Sequence, residues 1–434
     1  MKILILSSSH PYKAAGIVAK DLLDGLRSIN GNEVKLVVQE WDRYHDKDII
    51  SVDSSFIRHQ GRRFLRRTIN YIKRIGLLKK RAKKVNNDYC IQDYDQKITY
   101  YKTQKILKRA NFKPDAILVL FMQNFLSFKN LYELNHLTQS CIALYMPDMA
   151  PMTGGCHYAW NCKRYSDKCG GCPAYCSNNE NDQSRINWYF KNSYIQKTNI
   201  IPVAASIWQW RQLNIASLYR SKLKTKILSI TNEKHFIVGD KSIARSYFKI
   251  NSDKFVILIG SVYNSDRRKG FNELMETFKI LHKRASNDFM HKVVIAIIGH
   301  NNSSLSQSLP FSHIDLGYLS HSELVRAYQA ADLFVSPSIE DSGPSMINQS
   351  LMCGLPVVAF EMGVAPDLII NHKTGYMAKL GDCEELANGI FDIISLEKSK
   401  YDDMRNECRK LALAKCSRIV IAKKFMKLLG EYNK

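Results

Sequence analysis

Residues 332–360, DLFVSPSIEDSGPSMINQSLMCGLPVVAF, restrict the fold more than any other part of the chain. Leu333-Phe334-Val335 and Leu355-Pro356-Val357-Val358-Ala359-Phe360 are apolar runs too short for helices, and they read as strands buried on both faces. Between them lie a Ser/Pro/acid/Gly loop and a helix-competent stretch ending at Cys353-Gly354. Strand, polar loop, helix start and strand form the unit that places ligands beyond the carboxyl ends of an open parallel sheet. Backbone N–H groups at the helix start near Gly343-Pro344-Ser345 lack intrahelical partners. The helix dipole adds partial positive charge there, so the loop suits an anion.

The same alternation runs through both halves of the chain. Ile3-Leu4-Ile5-Leu6 leads through a loop into an apolar-periodic helix from Gly16 to about Ile29, and strands are expected at 34–38, 116–121, 141–146 and 200–204. The pattern restarts near Lys226, with strands at 255–260 and 293–298 around a helix at 270–283. Ser320, with Glu323 three residues on, reads as a capping box, and further helices are expected from about Glu384 and Tyr401. Strands alternating with helices argue for an α/β chain of two Rossmann-like, doubly wound domains, 1–235 and 236–415, with a terminal helix in 416–434.

At 434 residues and 45% hydrophobic, the chain can bury two cores of ordinary size. No apolar run reaches the roughly 18 residues of a membrane span. The N-terminal MKILILSSSH is too short in its apolar part for a signal peptide and reads as a first strand, so a cytoplasmic protein is expected. Eleven cysteines in a reducing compartment are then not expected to form a disulfide framework. The net charge of +23 is concentrated. Segment 54–87 carries Arg58, Arg62, Arg63, Arg66, Arg67, Lys73, Arg74, Lys79, Lys80, Arg81, Lys83 and Lys84 with no acid among them. Leu65, Ile69, Ile72 and Ile75 recur there near helical spacing, which suits an anionic membrane surface on the cytoplasmic side. A solvated basic face over a core stripe is the alternative; nucleic acid is not expected, because no recognition motif accompanies the charge.

Residues 332–360 resemble the donor-sugar loop of retaining GT-B glycosyltransferases of family 4. Its usual form is an acid, seven residues, then Glu, followed by CG-x-P-V-V. The acid here is Asp341, and Gln349 stands where the Glu is usual. The resemblance implies two domains facing a central cleft and a nucleotide-sugar donor, with no metal required for catalysis. It assigns Asp341 to the donor sugar's hydroxyls and Gln349 to the ribose. The helix start at Gly343, Pro344, Ser345 and Met346 falls to the diphosphate, together with Arg268 and Lys269 of SVYNSDRRKG. An Arg is usual directly after the strand's Gly, where this chain has Ser261. The first loop approaches the donor through a Gly pair in the family; here it is Ala14-Ala15-Gly16. Ala205-Ser206-Ile207-Trp208 with Ser217, Ala365-Pro366-Asp367-Leu368 and Lys373-Thr374-Gly375-Tyr376 extend the match.

The insertion 146–176, MPDMAPMTGGCHYAWNCKRYSDKCGGCPAYC, resembles an H-D-M…T-G-G-C-H-Y pattern in a subset of these enzymes that build surface polysaccharides. Pro147 replaces the usual His, which leaves Asp148 as the candidate for acceptor contact. Cys156, Cys162, Cys169 and Cys172 have a spacing that suits a structural zinc, with His157 or Cys176 as substitute ligands; free thiols in an insertion are the other reading. The expected activity is transfer of a sugar, with Asp341, Asp148 and Lys269 as catalytic candidates. The acceptor is a lipid-linked or growing surface glycan of the capsule, exopolysaccharide or O-antigen kind. A sugar-nucleotide epimerase and a catalytically weakened sugar-nucleotide-binding partner are the alternatives.

Overall fold

The computed structural model describes residues 1–434 except 14–15, 58–59, 62–63, 65–67, 69–84, 87, 92–94, 301–302 and 433–434. Every basic residue named above in segment 54–87, and its apolar stripe, lies outside the described residues. The chain divides into two compact units. The first takes in Met1–Ala205, Gln209–Ile227 and Ile421–Lys434; the second takes in Ser206–Trp208 and Leu228–Val420.

Unit 1 is built on seven parallel strands in the order β3-β2-β1-β4-β5-β6-β7: β1 Lys2–Ser7, β2 Glu33–Val38, β3 Ile49–Ser51, β4 Ala116–Val119, β5 Cys141–Met146, β6 Ile200–Ala204 and β7 Thr225–Lys226. β4, β5 and β6 are buried at every position, as an apolar strand must be when helices cover both faces. The helix Arg418–Tyr432 enters this unit from Ile421 onward. It buries Ile421, Phe425 and Leu429, and the Phe425 ring meets Tyr145 of β5 edge-on at 5.8 Å.

Unit 2 has six parallel strands in the order β10-β9-β8-β11-β12-β13: β8 Phe255–Tyr263, β9 Val293–His300, β10 His313–Gly317, β11 Leu333–Ser336, β12 Val357–Phe360 and β13 Gly375–Ala378. The two apolar runs of the 332–360 segment are β11 and β12, paired in parallel through Phe334, Val335 and Ser336. Residues 228–236 side with this unit. Thr231 N donates to Cys416 O at 2.9 Å, and Arg409 Nη1 donates to Phe236 O at 2.6 Å. The Ser320 capping box forms with Glu323. Among the described residues no helix is long and apolar enough to cross a membrane.

Candidate functional site

In unit 2 the chain moves outward from β8 to β9 and β10 on one side, then from β11 to β12 and β13 on the other. The crevice of such a sheet opens where the order reverses, between the loops that follow β8 and β11. Both loops are tied to each other. Asp266 accepts from Arg268 N at 3.2 Å and starts a tight turn, Arg267–Lys269, which ends at Gly270 with φ +70°. A side chain at Gly270 would place its Cβ 1.7 Å from the Pro337 carbonyl oxygen, so only glycine lets the loops meet. Ile339 N then donates to Arg268 O at 2.8 Å.

This contact sets Lys269 Nζ 2.6 Å from Asp341 Oδ2. The two residues assigned to different parts of a donor are therefore each other's partner. Asp341 is 5% exposed, and its second oxygen accepts from Gly343 N at 3.0 Å. Burial alone would raise its carboxyl, but the Lys269 charge and hydrogen bond outweigh burial and hold it below its ordinary value. The Arg268 guanidinium, expected at the phosphates, pairs with Asp266. Ser261 too is used within its own loop, where its hydroxyl donates to Tyr263 O at 2.9 Å and its N–H to Asn264 Oδ1 at 2.8 Å.

The helix Ser345–Met352 begins beside this pair. Pro344 occupies the N-cap position and offers no side-chain oxygen, so no side chain caps the first turn. Ser345 is exposed, while Gly343, Pro344 and Met346 are half-buried. Gln349 is half-buried one turn further on, and its Oε1 accepts from the buried Tyr328 hydroxyl at 3.0 Å. Sequence reasoning passed over Tyr328 because a Tyr in an amphipathic helix, here His321–Ala330, looks like ordinary core. The arrangement can offer cations and free N–H groups to an anion, and a carboxylate to hydroxyls.

The remaining candidates lie in unit 1. Gly16 precedes the helix Ile17–Arg27, and a Cβ there would sit 2.0 Å from His10 O. Asp148 follows β5; its Oδ1 accepts from Ala150 N at 2.7 Å, and its Oδ2 is 2.8 Å from His157 Nδ1. Cys156, Cys162, Cys169 and Cys172 line one cavity of about 20 Å³. The expected zinc site finds no support: among the described residues, no three or more His, Cys, Asp or Glu side chains are placed to hold a metal ion. Burial raises Cys156 to about 12 and also raises Cys172, which packs as a small apolar group with Ala174 and Tyr175. The insertion is pinned by hydrogen bonds instead. The fully buried Lys191 Nζ donates to Ala150 O at 2.6 Å and Thr153 O at 2.8 Å, and Asp182 accepts from Cys172 N at 2.8 Å.

Residues 240–411 match the family described as Glycosyl transferases group 1. A capsular polysaccharide biosynthesis glycosyltransferase, CapM of Staphylococcus aureus, is 23% identical over 202 residues, 46% of this chain and 52% of CapM. The chain spans about half the length of the first curated relatives it matches. Two solved structures are similar over nearly all of both chains. A sucrose-phosphate synthase from Thermosynechococcus elongatus has a TM-score of 0.66 at 15% identity, covering 99% of this chain and 98% of the synthase. Anabaena HepE in complex with UDP has 0.61 at 14%, covering 99% and 100%. At such identities the likeness is one of fold, and it agrees with two parallel-sheet, Rossmann-like domains of the GT-B kind.

Proposed function

We propose that the chain is a retaining glycosyltransferase, holding a nucleotide-sugar donor in unit 2 and passing its sugar to a lipid-linked or growing surface glycan. The observation that carries this is the Lys269–Asp341 pair at the switch point, beside a helix start with no side-chain cap. A donor diphosphate satisfies the bare N–H groups and draws on Lys269, while Asp341 accepts hydrogen bonds from the sugar's hydroxyls. Leaving-group charge is then stabilised by groups already in place, and catalysis comes from positioning and electrostatics. Asp148 contacts the acceptor. The match to a group 1 family and the likeness to CapM support the reaction class and the capsule type of product. A uridine nucleotide is the first donor to try, because HepE binds UDP. Peripheral attachment to the inner membrane face is part of the proposal; Phe56, Ile57 and Phe64, exposed at 52, 81 and 73%, flank or interrupt the basic residues.

The test is incubation with a panel of UDP- and GDP-sugars. Nucleotide release or sugar transfer, and a raised melting temperature with UDP or GDP, are expected. Neither release nor protection with any of them overturns the reading. One observation favours a second reading, a catalytically weakened sugar-nucleotide-binding partner: Gln349 is neutral, and its oxygen already accepts from Tyr328. Asp341→Ala separates the two, since an enzyme loses turnover and a binding partner loses affinity alone.

A further inference from the structure

We propose that His157 is the positioning residue for Asp148, the carboxylate that meets the acceptor hydroxyl in a cavity of unit 1. This rests on the transferase reading and names its second site. The order of the first sheet reverses between β1 and β4, so that sheet also has a crevice at its carboxyl ends. A cavity of about 70 Å³ lies there, lined among others by Ser8, Phe121, Pro147, Asp148 and His157. That is several times the ~10–15 Å³ needed for one water, room for a hydroxyl and the carbon bearing it. The titratable groups lining it are Asp148 and His157.

These two are held together through both side chain and backbone. Asp148 Oδ2 lies 2.8 Å from His157 Nδ1, Met149 N donates to His157 O at 2.8 Å, and His157 N donates to Cys90 O at 2.7 Å. A bond to a carboxylate requires the proton on Nδ1, so the imidazole donates and Asp148 accepts. Ala150 N holds the other oxygen at 2.7 Å. The carboxylate is thus fixed in rotation, and each of its oxygens keeps a lone pair for a further donor. The ligand that fits is a hydroxyl group at the edge of a sugar. Pro147 removes an imidazole that the sequence pattern puts beside Asp148, and the fold returns one from nine residues later.

The experiment compares wild type with His157→Ala, His157→Asn and Asp148→Asn. Binding of methyl glucoside, methyl galactoside and methyl mannoside is measured by saturation-transfer NMR, and affinity for UDP and GDP is measured beside it. Wild type is expected to bind at least one glycoside saturably, and His157→Ala to weaken that about tenfold. His157→Asn presents an amide N–H where Nδ1–H stood and is expected to recover most of the loss, which a packing role alone does not predict. If His157→Ala fails to fold, Asp148→Asn decides, with the same loss expected. No saturable glycoside binding by wild type overturns the proposal, as does unchanged binding in the deciding variant or a loss that His157→Asn does not restore. Failure of the transferase reading is distinct: it appears as absence of nucleotide binding and of sugar-nucleotide turnover in wild type.

Discussion

Lys269 and Asp341 show why residue identities alone leave a site half read. Both were expected at a donor site from the family resemblance, yet their ion pair depends on the contact between two loops. Lys269→Met leaves a carboxylate buried without its counter-charge, and roughly 3 kcal/mol of stability is expected to go, the low end for one-sided loss of a buried pair because Lys269 is 25% exposed. The sign with pH follows from Asp341. Its folded pKa lies below the ordinary value of 3.8, so in wild type its contribution is present above that value and is lost as pH falls through the lower folded value. In the Met variant burial acts without Lys269, so the deficit shrinks as acid neutralises Asp341. Urea unfolding at pH 7 and pH 4 checks both; an equal deficit at the two values contradicts the assignment. Gln349 is the second residue-scale case. Gln349→Glu keeps an acceptor for Tyr328 and adds a charged oxygen, so UDP or GDP is expected to bind several-fold tighter. Titration calorimetry measures this, and unchanged binding would place Gln349 away from the nucleotide.

At the scale of elements, the helix His321–Ala330 carries a pH response that its sequence pattern does not announce. His321 opens the helix, stacked on His235 with ring centroids 4.1 Å apart and planes within 2°, and Phe236 meets its ring edge-on. Burial, then the neighbouring His235, lower its pKa from 6.5 to about 4, and a helix N-terminus disfavours a cation further. Between those two values the unfolded chain binds more protons than the folded one. Stability therefore falls as pH drops through that window, by roughly 1–2 kcal/mol after screening of a partly exposed ring. Denaturation curves from pH 7 to pH 4 are expected to lose this slope in His321→Gln. An unchanged slope assigns the effect elsewhere.

For the whole molecule, the division into two units predicts two unfolding events. The helix Arg418–Tyr432 buries Ile421, Phe425, Leu428 and Leu429 in unit 1, worth on the order of 5–10 kcal/mol, as much as a domain's net stability. A chain ending at Val420 is expected to lose the unit 1 transition in calorimetry and keep a nucleotide-responsive transition from unit 2. Loss of both, or of neither, contradicts this assignment of the helix.

The central strands were legible because they are buried on both faces: 141–146 and 200–204 match β5 and β6, and the 332–360 segment holds β11 and β12. β3 was not legible because three residues are too few to show a run, and the polar edge strand β10 because it buries no position. The Ser320 cap was readable because its bonds span three residues. By itself the sequence determined the α/β alternation, the anion-suited helix start and the presence of Asp341, Lys269 and Asp148, since these rest on local pattern and residue chemistry. Tertiary structure alone decided that Lys269 pairs with Asp341, Gln349 with Tyr328 and Asp148 with His157. Most of these partners come from different loops or helices, and every one depends on how the chain turns. Hydrogen bonds reach only about 3 Å, so no spacing along the chain can announce them.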